Sequence, residues 1–263
     1  MIQYLNLLQD ILDNGVVEKN ERTGTGTIKV FGRMLHFNLS DGFPILTTKK
    51  MFVKGIIHEL LWFIKGDSNI RYLVKNDVHI WDDWPYQQYL RKNSLDKKFP
   101  TYSQKWYEEK GKFTEKIIKD KNFAGKWGDC GPFYGVQWRN FSGVDQLSWV
   151  INEIKNNPNS RRLVISAWHP ANAVISKLPP CHYTFTFNVN DGKLNCHLTQ
   201  RSGDIALGIP FNLAAYSLLT QVIAQQVGLK LGQFGHTIVD AHIYVGEKGT
   251  ETEKYDHLEG LQE

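Results

Sequence analysis

The sequence predicts an α+β fold in which a large mixed or antiparallel β-sheet packs against helices. Residues 183 to 198 alternate between apolar and polar side chains on either side of Asp191-Gly192, which indicates a half-buried hairpin. Residues 213 to 227 are almost wholly apolar and end at a glycine, which is typical of a buried central helix. Residues 234 to 244 have the composition of a further strand, and 263 residues suffice for one domain with a sizeable core.

Three other segments have apolar residues at helical spacing. They are residues 2 to 14, 52 to 64 and 145 to 156. Glu59 interrupts the second of these, FVKGIIHELLWFI. A carboxylate among apolar residues is costly unless it is hydrogen-bonded or protonated, so we expect a raised pKa that suits acid–base work.

Residues 86 to 127 differ in composition from the rest of the chain. They are rich in lysine and have helical spacing, so we expect a small peripheral helical insertion within a single domain that spans 1 to 263. Its role is left open.

Charge and cysteine content exclude several classes of protein. The net charge is only +4, and the segment from Arg91 to Lys121 accounts for that surplus, which argues against an extended nucleic-acid surface. Three cysteines without paired metal-site spacing predict free thiols in a reducing compartment and no metal site. No leader and no apolar run near ~18 residues is present, so we expect a soluble cytoplasmic protein without a membrane partner.

The hairpin is the candidate active site because it carries a cysteine beside a cation. A turn at Asp191-Gly192 pairs Cys181 with Ser202 and His182 with Arg201. A neighbouring cation lowers the pKa of a thiol, which favours a nucleophilic cysteine over an ordinary buried thiol. This pairing leaves Arg201 on the opposite face from Cys181, so we expect a bulge near residues 200 to 203, which Gly203 would permit.

Two polar positions near the C-terminal elements have alternative interpretations. Asn212 stands at the expected N-cap of the central helix, where capping is the ordinary role. Its amide also offers one donor and one acceptor to a ligand. His242 and Tyr244 are expected on one face of the last strand.

Seven motifs occur in one collinear order from about residue 1 to 245: RTGTGT, HELLWF, HIWDDW, NSRRLVISAW, LPPCHYTFTFNV, QRSGDIALGIPFN and DAHIY. Together they resemble the thymidylate synthase family. The resemblance implies the fold of that family and the methylation of dUMP at C5 to dTMP. It also implies 5,10-methylenetetrahydrofolate as the co-substrate that supplies carbon and hydride, and a homodimer.

The resemblance also assigns roles to individual residues. The catalytic residues it implies are Cys181, Glu59, Tyr134, His182 and Asp204. The nucleotide-binding residues are Arg22, Arg161, Arg162, Gln200, Arg201, Ser202, Asn212, His242 and Tyr244. The folate-binding residues are Lys49, Ile80, Trp81, Trp84, Asp204, Leu207, Gly208 and Phe211. By the same resemblance, the pair Arg161 and Arg162 completes the phosphate site of the partner subunit.

Two alternatives use the same residues. One is a pyrimidine hydroxymethylase with the same folate, and the other is an inactive relative that binds nucleotide or RNA. The chain departs from the family at Gly203 and Val239, and an insertion runs from Gly246 to Tyr255. It ends at Glu263, where family members continue into a segment that closes over folate, so we expect a shortened chain or an enzyme without that lid.

Overall fold

A computed structural model describes residues 1–19, 25–176, 178–250 and 252–262. In these ranges the β-sheet has six strands in the spatial order β1-β2-β6-β5-β4-β3. Strands β5 and β6 pair in parallel, and the other neighbours pair antiparallel. The predicted mixed sheet is thus confirmed. The strands are β1 (Val16–Lys19), β2 (Gly26–Asn38), β3 (Val164–Ser166), β4 (His182–Asn190), β5 (Lys193–Asp204) and β6 (Lys230–Val245).

Helices account for most of the remaining described residues. They are α1 (Ile2–Asn14), α2 (Val53–Lys65), α3 (Arg71–Lys75), α4 (Asp83–Lys92), α5 (Gln104–Lys119), α6 (Lys121–Trp127), α7 (Gly135–Arg139), α8 (Gln146–Asn156), α9 (Pro170–Ile175), α10 (Gly208–Val227) and α11 (Glu259–Gln262). Among the described residues, none of these helices has both the length and the apolar character needed to cross a membrane.

The chain forms two compact units. The first comprises Met1–Met51, Ser148–Ser166 and Pro180–Glu263 and contains the whole sheet. Its long helix α10 packs on β5 and β6. Burial explains why α10 lacks a polar stripe, since most of its side chains lie in the core.

The second unit comprises Phe52–Leu147 and Ala167–Pro179 and is mainly helical. Residues 86–127, the predicted insertion, lie in this unit and form most of α4 together with α5 and α6. The aromatic rings of this segment pack around the fully buried Trp106. The ring centroids of Trp106 and Tyr86 are 5.2 Å apart. Aromatic packing therefore gives this lysine-rich segment a core.

Helix α10 begins earlier than the sequence pattern predicts. It starts at Gly208, so Asn212 lies inside the helix and its predicted N-cap position was wrong. Pro210 is compatible with this early start because the N–H groups of the first turn have no intrahelical partner. The carboxylate of Asp204 accepts hydrogen bonds from the N–H groups of Ala206 and Leu207 and so shapes the turn before the helix.

Candidate active site

The β4–β5 hairpin follows the predicted register over most of its length. Asp191 and Gly192 both have positive φ, at 51° and 67°, as a tight two-residue turn requires. The predicted pairing holds from Asn190 to Thr184 and then shifts by one residue before His182.

That shift corrects the sequence-based partners of the cysteine. His182 pairs with Gln200, and the N–H of Arg201 donates to the carbonyl oxygen of Cys181 at 2.9 Å. The predicted pairs Cys181–Ser202 and His182–Arg201 were therefore wrong by one residue. The irregularity lies between His182 and Thr184 in β4, not near Gly203.

Gly203 has a different physical role from the predicted bulge. A Cβ atom at this position would lie 2.6 Å from the Cδ1 of Ile209 in α10. A glycine here allows α10 to approach the sheet closely, and α10 carries Asn212.

The register shift brings the guanidinium of Arg201 to the thiol of Cys181. The Nη2 atom lies 3.5 Å from the Sγ atom, while Nε donates to the carbonyl of Pro180 at 3.0 Å. Cys181 is half-buried. A fixed cation at this distance stabilises the thiolate, which is the nucleophilic form.

The other two cysteines lie in environments that disfavour a thiolate. Burial raises the pKa of Cys196 to about 12, and burial together with nearby carboxylates raises the pKa of Cys130 well above its usual value. Neither environment suits a nucleophile at neutral pH. The contrast favours Cys181.

A buried polar network lies behind this strand end. The Nδ1 atom of His182 is 2.7 Å from the hydroxyl of Tyr216. The Nε2 atom of His236 is 3.0 Å from the Oε1 atom of Gln200, whose Nε2 donates to the carbonyl of Ser202 at 2.9 Å. Burial lowers the pKa of both histidines to about 3, so both rings are neutral at physiological pH.

Sequence analysis missed Tyr216 and His236. Tyr216 interrupts an almost wholly apolar helix, and that interruption is a signal that could have found it. His236 lies in a strand with several other polar residues, so the sequence gives no such signal for it. Gln200 is almost fully buried and its amide supports the backbone of Ser202, so its direct contact with a nucleotide stays a prediction.

Asp204 and its neighbours form the turn that leads from β5 into α10. The Oδ1 atom accepts from the N–H of Ala206 at 2.9 Å and from that of Leu207 at 3.3 Å. Lys49 donates to the carbonyl of Ala206, and burial lowers its pKa. Leu207 is exposed, and Gly208 and Phe211 are half-buried, so these predicted folate residues present an accessible apolar rim beside a carboxylate.

Asn212, His242 and Tyr244 are also in the first unit. Within the described ranges, the structure shows no hydrogen bond from the side-chain amide of the buried Asn212 to another residue. The Nδ1 atom of His242 is 2.6 Å from the Oδ1 atom of Asp240, and this contact lowers the pKa of Asp240. The rings of His242 and Tyr244 are adjacent, with centroids 5.1 Å apart.

The predicted phosphate-binding arginines differ in position. Arg161 and Arg162 are exposed and precede the edge strand β3. Ser202 is half-buried beside Arg201. Arg22 lies outside the described residues.

In the second unit, Glu59 has the environment that its sequence context predicts. Its Oε1 atom accepts a hydrogen bond of 2.7 Å from the Nε1 of Trp81. Desolvation by burial raises the pKa of Glu59 to about 7, although the hydrogen bond from Trp81 acts in the opposite direction. A carboxyl group that titrates near neutral pH can both give and take a proton.

Close packing between α2 and α7 positions Tyr134. A Cβ atom at Gly135 would lie 2.2 Å from the carbonyl oxygen of Phe63, so only glycine permits this approach. Tyr134 precedes it with φ of 39°, an unfavourable conformation for a tyrosine. Its ring lies 5.2 Å from that of Phe63 and 6.0 Å from that of Trp81.

The indole of Trp81 belongs to an aromatic cluster, stacked on Phe133 with ring centroids 5.0 Å apart. Trp81 and Trp84 also line a cavity of about 340 Å³ in this unit, together with Phe133 and Leu178. Ile80 is exposed. The cavity is large enough for part of a planar ligand.

Comparisons with known proteins agree with these features. A family profile described as thymidylate synthase matches residues 2–263. The thymidylate synthase of Phytoplasma mali is 54% identical over 244 residues, which cover 93% of this chain and 81% of the relative. That of Mycoplasma pneumoniae is 52% identical over the same shares, and that of Mesoplasma florum is 48% identical over 264 residues, covering 100% and 84%. The chain therefore belongs to the thymidylate synthase family.

Proposed function

We propose that this chain converts dUMP to dTMP by methylating C5 of the uracil, with Cys181 as the nucleophile. The observation that carries the proposal is the guanidinium of Arg201, 3.5 Å from the half-buried thiol of Cys181. C5 of uracil is a poor nucleophile until a thiolate adds at C6. Arg201 favours the thiolate that this addition needs.

The thiolate of Cys181 forms a bond to C6, and the electrons of the C5–C6 double bond move towards C5 and O4. C5 then attacks a one-carbon electrophile. Loss of the C5 proton expels the amine nitrogen that carried the one-carbon unit and leaves an exocyclic methylene on C5. A hydride adds to that methylene, and departure of the Cys181 thiolate from C6 restores the C5–C6 double bond. Methylenetetrahydrofolate, when bound, supplies both the one-carbon unit and the hydride.

Several residues fit the folate. Trp81 and Trp84 offer aromatic surface beside a cavity of about 340 Å³. Asp204 offers a carboxylate for the N–H donors of a pterin, with the exposed Leu207 and the half-buried Gly208 and Phe211 beside it. Ile80 and Lys49 would contact the rest of the co-substrate, with Lys49 opposite its glutamate.

Glu59 is proposed to move protons at O4 of the uracil through water. Its pKa of about 7 leaves a substantial protonated fraction at neutral pH, so the same group can protonate the developing oxyanion and be restored. The indole N–H of Trp81 holds this carboxyl in place.

Tyr134 and His182 are proposed to organise the water that removes the C5 proton. His182 is neutral at physiological pH, and its contact of 2.7 Å with the hydroxyl of Tyr216 fixes the orientation of the ring. Tyr134 stands at the start of α7 in a conformation that only the surrounding packing maintains.

The nucleotide is proposed to bind through its phosphate, sugar and base. Arg22, Arg201 and Ser202 bind the phosphate together with the partner subunit's Arg161 and the partner subunit's Arg162, which requires a homodimer. The exposure of both arginines at an edge strand supports this arrangement. His242 and Tyr244 bind the sugar hydroxyl, and Gln200 supports the phosphate-binding strand. The cytoplasmic location predicted from the cysteine content is part of this proposal.

Asn212 is proposed to select uracil. Its amide presents a donor and an acceptor, which match O4 and N3–H of uracil, whereas cytosine presents an amino group that a carboxylate would match better. We expect Asn212→Asp to lose dUMP turnover and gain dCMP binding, measured in competition between the two nucleotides. An unchanged preference would remove Asn212 from base recognition.

The mass of the pyrimidine product after incubation with dUMP and methylenetetrahydrofolate tests the function. A methyl increment with dihydrofolate supports the proposal. A hydroxymethyl increment would instead make the chain a hydroxymethylase, and nucleotide binding without product would indicate an inactive relative. A denaturation-resistant adduct with fluorinated dUMP and the folate, lost in Cys181→Ser, identifies the nucleophile.

A further inference from the structure

We propose that His257 is a positioning residue that orients the carboxylate of Asp204 for the folate co-substrate. The inference rests on the proposed function and deepens it. The Nδ1 atom of His257 lies 3.7 Å from the Oδ1 atom of Asp204. In the described part of the chain, this buried nitrogen has no hydrogen-bond partner. Such a nitrogen is costly to leave unpaired, and Asp204 is the acceptor that it faces.

His257 follows the insertion predicted from Gly246 to Tyr255, and hydrogen bonds of the neighbouring residues fix its position. The carboxylate of Asp256 accepts from the N–H of Gly246 at 2.9 Å and from that of Leu258 at 2.7 Å. The N–H of His257 donates to the carbonyl of Tyr244 at 3.0 Å. These three hydrogen bonds fix the backbone on both sides of His257.

This arrangement depends on a close approach at Gly246. A Cβ atom there would lie 2.3 Å from the carbonyl oxygen of Thr252. The ring of His257 also meets that of Tyr244 edge-on, with centroids 6.1 Å apart. His257 is therefore in contact with a proposed sugar-binding residue and faces a proposed pterin-binding residue.

The two carboxylate oxygens of Asp204 have different roles in this proposal. The Oδ1 atom already accepts from the N–H groups of Ala206 and Leu207. A movement of roughly half an ångström would bring the Nδ1–H of His257 within hydrogen-bonding distance of the same oxygen. A third donor on Oδ1 would fix the plane of the carboxylate and leave Oδ2 for the N–H groups of a planar heterocycle.

The charged and titratable groups around this contact come from several elements. Lys49 interacts electrostatically with Asp204, as does Tyr4 of α1. From β6, the ring of Tyr244 lies between His242 and His257. The role assigned to His257 requires a donor at Nδ1, which both the neutral Nδ1–H tautomer and the protonated ring provide.

Two substitutions separate donation from packing. Asparagine carries a polar atom at the position of Nδ1 and can donate, whereas leucine has similar bulk and cannot. We expect His257→Leu to weaken binding of tetrahydrofolate to the dUMP-saturated protein about tenfold, since hydrogen bonds to charged groups have roughly this effect. His257→Asn should stay within about threefold of the unchanged protein, as should the control Glu247→Gln in the same segment.

Binding is measured by calorimetry with tetrahydrofolate as the probe, and steady-state turnover is measured in parallel. The KM for methylenetetrahydrofolate should rise in His257→Leu while the dissociation constant for dUMP changes less than twofold. Equal folate binding by His257→Leu and the unchanged protein would overturn the proposal. Equal losses in the leucine and asparagine variants would also overturn it, because they would indicate ring packing.

A double-mutant cycle with Asp204→Ala covers the case in which His257→Leu perturbs the fold. In the Asp204→Ala background, which has no side-chain acceptor for His257, the leucine substitution should have no further effect on tetrahydrofolate binding. Additive losses would overturn the proposal. If the unchanged protein binds tetrahydrofolate but forms no dTMP, the proposed function fails, while the cycle still decides the role of His257.

Discussion

The two compact units bury titratable groups with opposite results. In the first unit, burial lowers the pKa of His182 to about 3 and leaves its ring neutral. In the second unit, burial raises the pKa of Glu59 to about 7 and leaves much of the carboxyl protonated at neutral pH. Desolvation disfavours the charged form in both cases. The first unit places the cation of Arg201 beside the thiol of Cys181 at a strand end, whereas the second holds a group that can exchange a proton.

The largest effect should come from the first unit. Cys181→Ser should reduce dTMP formation by roughly 10⁴-fold or more, because a serine hydroxyl beside a cation does not ionise at neutral pH. Cys196→Ser is the control, since that thiol is buried on the neighbouring strand. Comparable losses in both variants, measured as turnover, would contradict the assignment of the nucleophile.

In the second unit, Glu59→Gln should reduce kcat roughly 10²- to 10⁴-fold, because glutamine cannot transfer a proton. Glutamine keeps an oxygen that can accept from Trp81, so dUMP binding should change little. The measurement is kcat together with the dissociation constant for dUMP. Unchanged kcat would show that proton transfer does not depend on this unit.

The same substitution should alter the pH dependence of stability. The pKa of Glu59 is about 7 in the folded chain and 4.5 ordinarily, so between these values the folded state binds more protons than the unfolded state. Stability therefore falls as pH rises from 4.5 to 7, by at most about 3 kcal/mol. Glu59→Gln should be more stable than the unchanged protein at pH 8 and similar at pH 4.5, measured by urea unfolding.

The buried histidines of the first unit, His182 and His236, give stability the opposite dependence on pH. Their folded pKa of about 3 lies below the ordinary 6.5, so the unfolded state binds more protons and stability falls as pH drops below 6.5. Glu59→Gln should leave this limb unchanged below pH 4.5, where Glu59 is protonated in both the folded and the unfolded state. A change confined to pH values below 4.5 would mean that the two units do not titrate as described.

The smallest effect should follow Tyr216→Phe, which removes the hydroxyl 2.7 Å from Nδ1 of His182. The buried nitrogen then lacks this partner, and the free energy of unfolding should fall by about 1–2 kcal/mol. We expect a several-fold lower kcat, because His182 loses its fixed orientation. If stability and kcat equal those of the unchanged protein, the hydroxyl of Tyr216 does not support His182.

Local patterns predicted much of the candidate site. The turn at Asp191-Gly192 follows from two residues that tolerate positive φ, and it sets the register down to Thr184. The apolar residues around Glu59 predicted its raised pKa. Both depend on neighbours in sequence or on the same face of one helix.

Other features needed contacts between distant segments. The partner of Cys181 depends on a register shift between His182 and Thr184 that no turn residue marks. The carboxylate of Asp204 accepts a backbone hydrogen bond in the turn before α10, which begins at Gly208. Asn212 therefore lies inside the helix and not at its N-cap. Trp81 becomes the donor to Glu59 only when α2 packs beside the segment that carries Trp81.

The α+β class, the hairpin, the buried helix and the residue types available for chemistry could all be predicted from local sequence patterns. Periodicity and turn residues act over a few neighbouring positions, so a single chain reveals them. Tertiary structure alone decided that Arg201 meets Cys181, that Tyr216 holds His182 and that His257 faces Asp204. These contacts depend on strand irregularity and on chain segments that return from a distance, which no local pattern specifies.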